Sequence, residues 1–215
     1  MYEIIDTEKW LRKNIYNWFS SFANPCYGID SKIDVSQIYA YSKETNTSFF
    51  VNFLFIISKT LNGIDALKLR IVNGEVRLYD VIHPSFSVMT DLGIFENCGI
   101  KMTDNYNEFY KAAKTEIDNA KHEKIPREGY NTNNDYDDIY LTCLPWLDYT
   151  SMTHPIPQGD IQSLSVPRIC FGKFNENKIL NFNITVSHAL VDGKDVSDAF
   201  LMLQKNCDNC GKFFK

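Results

Sequence analysis

The sequence predicts an α+β fold in a single domain that covers residues 1–215. Some segments repeat apolar residues at helical spacing, and others alternate apolar with polar residues as strands do. No internal repeat, low-complexity segment or linker divides the chain. With 44% hydrophobic and 23% charged residues, the composition is that of an ordinary globular protein.

The elements of the N-terminal half follow from local patterns. A first helix is predicted to begin at Asp6 or Thr7, either of which can act as its N-cap. A second, strongly apolar helix covers residues 48–62 and ends at Gly63, where a C′ glycine is common. Two alternating runs then flank Asn73-Gly74, a pair typical of a type I′ hairpin turn.

The C-terminal half continues with helical and strand patterns. Residues 105–124 carry an apolar stripe at helical spacing, and Pro126 and Gly129 are expected to end that helix. Beyond it we predict a strand, a hairpin of two long strands and a closing helix, at residues 139–146, 165–188 and 194–204.

Charge and hydropathy argue against two classes of partner. The net charge of −5 disfavours nucleic acid, because such a surface repels phosphates. The longest apolar run, Phe49–Ile57, is shorter than the ~20 residues that cross a bilayer. Residues 1–10 lack the pattern of a secretion signal. We therefore expect a cytoplasmic protein without a nucleic-acid or membrane partner.

The six cysteines predict neither a disulfide framework nor a metal site. Four are isolated among apolar residues, as buried free thiols are. Cys207 and Cys210 have C-x-x-C spacing, but no second pair or nearby histidine completes a zinc site. We predict that this C-terminal segment is a structureless tail.

His188 is the residue on which the functional hypothesis depends. Alternation over residues 180–186 brings it to the end of a strand, where side chains often meet ligands. Asp192 and Gly193 follow, and the glycine allows a tight turn before the next helix. By itself the H-x-x-x-D spacing is weak, and a packed histidine is the alternative.

The segment SHALVDGKDV resembles the active-site signature of the chloramphenicol acetyltransferases, H-H-A-V-x-D-G-[F/Y]-H-V. Further similar segments follow the family's order: EKWLRK, SKIDVS, LRIVNGEVRLYDVIHPSFSV and LTCLPW. The resemblance extends from Glu8 to Gln204 with only small gaps. It implies a two-layer domain with a mixed β-sheet flanked by helices, assembled as a homotrimer whose active site lies between subunits.

Enzymes of this family confer antibiotic resistance by transferring the acetyl group of acetyl-CoA to a hydroxyl of chloramphenicol. The resemblance therefore implies these two small-molecule partners, a ternary complex without an acyl-enzyme, and no permanently bound cofactor. It implies that His188 is the general base, since an imidazole with a pKa of about 6.5 can accept an alcohol proton at neutral pH.

The resemblance implies catalytic roles for three more residues. Thr142 stands in place of a serine whose hydroxyl donates to the oxyanion, although an ordinary strand threonine is the alternative. Asp192 is expected to turn away from the imidazole and to form a buried ion pair with Arg12. Such a pair would tie the first helix to the catalytic loop.

The resemblance also places residues around the substrates. Lys173 and Phe174 match a Lys-Tyr pair on the CoA side, where an aromatic ring stacks on adenine. All these residues could instead serve packing, which is favoured for Cys170. The positions at or near the family's acceptor pocket are Phe19, Cys26, Tyr27, Phe95 and Cys170.

The signature departs from the family around the histidine. Ser187 stands where the family has its first histidine, and Lys194 and Asp195 stand where it has an aromatic residue and another histidine. The acetyl-transfer residues are kept while their surroundings differ. Two alternatives therefore stay open, namely an O-acetyltransferase for another hydroxyl acceptor and an inactive binding homologue.

Overall fold

The alternating segments form nine strands in the part of the chain that the computed structural model describes, residues 1–125, 136–157 and 160–214. The strands are β1 Tyr2–Ile5, β2 Cys26–Asp34, β3 Leu69–Val72, β4 Glu75–Tyr79, β5 His83–Met89, β6 Phe95–Gly99, β7 Asp138–Leu144, β8 Arg168–Gly172 and β9 Ile179–Ser187. The α-helices are α1 Lys13–Ser20, α2 Ser36–Glu44, α3 Phe49–Asn62, α4 Tyr106–Lys121, α5 Ile161–Leu164 and α6 Gly193–Asp208. The predicted helix end at Pro126 and Gly129 lies outside the described residues.

The larger sheet has six strands in the order β2-β9-β8-β7-β5-β6. β7 runs parallel to β5 and β8, while the other pairs are antiparallel, so the sheet is mixed as predicted. A smaller antiparallel sheet has the order β1-β4-β3. Its hairpin turns at Asn73 and Gly74, whose φ angles of 52° and 81° are those of a type I′ turn.

Helices cover one face of the larger sheet. Phe53 on α3 contacts Phe171 and Phe182 of the sheet, with ring centroids 5.0 and 6.0 Å apart. The opposite face lies beneath residues 145–157, and the Tyr149 hydroxyl donates a hydrogen bond to the backbone oxygen of Cys170 at 2.9 Å. Strand residues therefore alternate between a helix-covered face and a face covered by this segment.

The N-terminal helix starts later than predicted. Residues before it form β1, in which Ile4 pairs with Arg77 of β4. Asp6 and Thr7 follow that strand, and α1 begins at Lys13. Residues 6–12 form isolated turns instead of the first turns of the helix. The strand itself could not be predicted, because its pairing partner lies far away in sequence and helical periodicity cannot reveal it.

Two helix ends also differ from expectation. Gly63 does follow α3, but its φ of −81° is not left-handed, so it is not a C′ glycine of the expected kind. A Cβ at Gly63 would lie 3.2 Å from Met202 Sδ, which shows that α6 approaches closely there. Helix α2 was not predicted, because its sequence is too polar to show a clear apolar stripe.

The C-terminal segment is structured, so the prediction of a structureless tail was wrong. Cys207 and Cys210 are buried free thiols. Phe214 is also buried and packs against Tyr41 and Tyr106, with ring centroids 4.5 and 4.7 Å apart. The aromatic partners come from α2 and α4, which a local pattern cannot anticipate.

None of the helices in the described part of the chain combines the length and the hydropathy of a membrane span.

Candidate active site

His188 follows β9 directly and is held by neighbouring elements. Its backbone N–H donates to the Pro25 oxygen at 2.9 Å. The imidazole stacks on Phe19, with centroids 4.1 Å and planes 12° apart, and Tyr27 packs against it at 4.7 Å. The His188 side chain is 34% exposed, so the ring is fixed by α1 and β2 without being sealed in the interior.

The predicted contact between Asp192 and Arg12 forms. Arg12 Nη1 is ion-paired with Asp192 Oδ2, and Arg12 Nη2 donates to the His188 backbone oxygen at 3.1 Å. The side chains are 17% and 39% exposed, so the pair is partly buried rather than buried as expected. Asp192 Oδ1 lies 3.5 Å from His188 Nδ1, so the carboxylate does not turn away from the imidazole.

Tyr27 contacts both His188 and the short loop that follows it. Its hydroxyl donates to the Val191 oxygen at 3.4 Å. Burial, together with the negative charges of Asp192 and Asp195, raises the pKa of Tyr27 to about 12. A phenol is already protonated at neutral pH, and this shift moves its titration further from the neutral range. Gly193 begins α6, and its φ is not left-handed, so no tight glycine turn is needed there.

A second feature is a cavity of about 520 Å³ beside the ends of β7 and β8. Lys173 and Phe174, which the resemblance places on the CoA side, both line it. Trp146 also lines it. It is the last residue of the predicted strand and is not among the predicted site residues. The described lining includes three lysines and no carboxylate. The cavity therefore combines aromatic walls with positive charge.

Thr142 lies on the strand that borders this cavity, but it does not line the cavity, and it is far from His188. It precedes Cys143, which lines the cavity, and pairs in register with Cys170, which in turn pairs with Asn183. From Asn183 the strand continues to His188, which places Thr142 and His188 roughly 19 Å apart from strand geometry. One copy of the chain does not bring these two residues together.

Some of the residues predicted for the acceptor pocket lie around His188, and others lie near the cavity. Phe19 and Tyr27 surround His188, and Cys26 pairs with Ser187 while its thiol donates to the Leu164 oxygen at 3.5 Å. Phe95 lies on edge strand β6, is 54% exposed, and pairs with a residue that lines the cavity. Cys170 is fully buried beside Thr142, which favours the packing role.

The site residues therefore form two groups. The histidine half is Arg12, Phe19, Tyr27, His188 and Asp192. The cavity half is Thr142 together with four residues that line the cavity: Cys143, Trp146, Lys173 and Phe174.

The thiols near these groups are not activated. Burial raises the pKa of Cys26, of Cys143 to about 12 and of Cys170 to about 11. A raised thiol pKa makes the nucleophilic thiolate scarce at neutral pH. Across the described ranges, no three His, Cys, Asp or Glu side chains cluster in a way that could hold a metal ion.

Solved acyltransferase structures share this architecture. A chloramphenicol acetyltransferase structure aligns with a TM-score of 0.83 and 27% identity, covering 95% of this chain and 99% of its own. A probable dihydrolipoamide acetyltransferase from Listeria monocytogenes 4b F2365 aligns over 92% of this chain and 89% of its own, with a TM-score of 0.66; at 10% identity it shows the fold alone. The protein is an acyltransferase.

Sequence comparison defines the family. A family model described as chloramphenicol acetyltransferase matches residues 1–204. A chloramphenicol acetyltransferase of Bacillus pumilus is 22% identical over 99% of this chain and 96% of its own length. One from Staphylococcus aureus is 24% identical over 88% of each chain. The chain belongs to the chloramphenicol acetyltransferase family, which confirms the resemblance noted in the sequence.

Proposed function

We propose that the protein is a cytoplasmic, acetyl-CoA-dependent O-acetyltransferase that acetylates a hydroxyl of chloramphenicol, with His188 as the general base. The observation that carries this proposal is the placement of His188. It stands at a strand end, in the signature segment, with its ring fixed between Phe19 and Tyr27 and still open to solvent. The acceptor is taken from the family and its relatives.

The proton transfer is assigned to Nε2 of His188. Nδ1 is buried, has no hydrogen-bond partner among the described residues, and faces Asp192. Nε2 takes the hydroxyl proton as the acceptor oxygen attacks the thioester carbonyl carbon. The C–S bond then breaks, and the proton passes from Nε2 to the leaving CoA sulfur. The Asp192 carboxylate stabilises the imidazolium that forms between these steps.

Thr142 supplies the oxyanion donor in this proposal, and its hydroxyl must come from a second copy of the chain. The separation of roughly 19 Å within one copy is too long for two groups that act on one carbonyl. We therefore propose a homotrimer in which the cavity half of one copy faces the histidine half of the next. A closed three-fold ring repeats this contact at every interface.

The cavity half would hold acetyl-CoA. Lysine ammonium groups bind phosphates, and Phe174 offers a ring on which adenine can stack. Transfer would occur directly in a ternary complex, because the raised pKa values of Cys26, Cys143 and Cys170 disfavour an acyl-thiol intermediate. Acetyl-CoA is then a co-substrate, and no permanently bound cofactor is proposed.

The test is a thiol-release assay with acetyl-CoA and purified protein. We expect release that depends on chloramphenicol, its loss in His188→Ala, and wild-type activity in His122→Ala, whose side chain is 71% exposed. Full activity of His188→Ala would exclude the histidine base.

Coexpression of two inactive variants tests the shared site. Thr142→Val and His188→Ala homotrimers are each expected to be inactive. Random mixed trimers would regain about a quarter of the sites, because a site needs the intact residue from each of two neighbours. A monomer by light scattering, or no recovery after mixing, would contradict the trimeric site.

A second candidate keeps this chemistry and changes the acceptor. It is favoured by Ser187, Lys194 and Asp195, which replace family residues around the base. Turnover with another alcohol but none with chloramphenicol would support it. Tight binding of chloramphenicol or CoA with no turnover of any acceptor would indicate the inactive binding homologue.

A further inference from the structure

Asp195 replaces a histidine of the family signature and contacts the catalytic loop. It is the third residue of α6, and its Oδ2 accepts a hydrogen bond from the backbone N–H of Asp192 at 2.9 Å. The two residues form a capping box at the start of the helix. From this contact we infer that Asp195 is a positioning residue for His188, an inference that rests on the proposed function.

Two neighbours hold Asp192, one at its backbone and the other at its side chain. Asp195 binds its backbone N–H, and Arg12 binds its carboxylate. Arg12 also donates to the His188 backbone oxygen. A shift of Asp192 would therefore displace its own carboxylate and the arginine that holds the His188 backbone. The carboxylate oxygen that faces His188 Nδ1 at 3.5 Å belongs to the same residue. Asp195 therefore acts on His188 through Asp192.

Tyr27 also contacts the imidazole, and its hydroxyl donates to the Val191 oxygen. A phenol is protonated at neutral pH with or without a nearby carboxylate, so this contact does not need the charge of Asp195. The role inferred for Asp195 therefore rests on its hydrogen bond with the Asp192 backbone.

Three variants separate these effects. Asp195→Ala removes both the acceptor oxygen and the charge, whereas Asp195→Asn keeps an oxygen that can accept the Asp192 N–H. Asp198→Ala is the matched control, because Asp198 lies on the same helix and is ion-paired with Lys194 at 2.6 Å. Its loss leaves the contact at Asp192 intact.

We expect Asp195→Ala to lower kcat by a factor on the order of ten to a hundred, the usual effect of a slightly misplaced group. The KM for acetyl-CoA should change little, because Asp195 does not line the cavity. Asp195→Asn should recover most of kcat, and Asp198→Ala should match the wild type. Wild-type kcat in Asp195→Ala, no recovery in Asp195→Asn, or an equal loss in Asp198→Ala would each overturn the inference.

Histidine side-chain NMR gives a readout that does not need turnover. The chain has four histidines, so the His188 signal is assigned by its loss in His188→Ala. Asp195→Ala is expected to shift that signal, and Asp198→Ala is not. If the wild type turns over no acceptor, the proposed function fails, and this shift alone decides whether Asp195 positions the ring. An unchanged His188 signal in Asp195→Ala overturns the inference.

Discussion

Phe19 and His188 lie face to face, with ring centroids 4.1 Å apart and planes only 12° apart. Phe19 comes from α1 and His188 from the end of β9, so the stack joins two elements that are distant in sequence. Aromatic pairs of this kind contribute about 0.5–1.5 kcal/mol beyond burial. The stack limits the rotation of the imidazole at the point where it would take a proton.

Phe19→Leu is expected to keep the fold and to lower kcat by roughly three- to tenfold, the loss that corresponds to such a stack. Steady-state thiol release and the thermal midpoint provide the measurement. Trp18→Leu is the control, because Trp18 touches Phe19 at 4.9 Å and is 62% exposed. An equal loss in both variants would argue against a specific role for the stack.

Arg12→Met is expected to reduce the free energy of unfolding by about 1–3 kcal/mol, between the values for exposed and buried ion pairs. The reason is that Asp192 and the His188 backbone oxygen both lose a donor. Urea unfolding measures the change. Lys13→Met removes an exposed pair with Glu8 and should cost less. If the two variants were equally stable, the Arg12 contact would not tie α1 to the loop.

Phe174→Leu tests the cavity half. We expect the KM for acetyl-CoA to rise by about five- to 150-fold, since base stacking on an aromatic ring is worth ~1–3 kcal/mol. The KM for the acceptor should stay the same. Tyr39→Leu is the control, because Tyr39 contacts Phe174 at 5.4 Å without lining the cavity. A rise in the acceptor KM instead would place acetyl-CoA elsewhere.

His154 predicts how stability depends on pH. Burial and the charge of Arg168 lower its pKa to about 4. An unfolded histidine titrates at about 6.5, so as pH falls from 6.5 the unfolded chain gains a proton that the folded chain lacks. The stability from this group is therefore complete above pH ~6.5 and is lost as pH falls towards 4.

We expect His154→Gln to flatten the fall in urea midpoint across that window. His122→Gln, which removes an exposed contact with Asp91, should change the curve less. A His154→Gln curve that coincides with the wild type would mean that the folded and the unfolded chain take up the His154 proton over the same pH range.

Local chemistry explains the parts of the fold that the sequence predicts correctly. The Asn73-Gly74 turn and α3 depend on residues close together in the chain, and both form. Strand β1 and the packing of Phe214 depend on partners far away in sequence. Those contacts are decided by tertiary packing, which periodicity does not contain.

The candidate site shows the same limit. The strand that leads to His188 could be anticipated from alternation, and the neighbouring Asp192 and Arg12 from the SHALVDGKDV and EKWLRK segments that resemble the family. The 3.5 Å approach of Asp192 to the imidazole could not, because it depends on the angle at which α6 leaves the loop. The distance between Thr142 and His188 required the strand register.

The burial of Phe214 has a consequence for how the chain survives in a cell. A message with a premature stop shortly before it would still encode every residue of both halves of the proposed site. The product would nevertheless leave the aromatic side chains of α2 and α4 uncovered. Chaperones and proteases recognise such surfaces, so nonsense mutations at this late position are expected to deplete the protein rather than yield a shortened working enzyme.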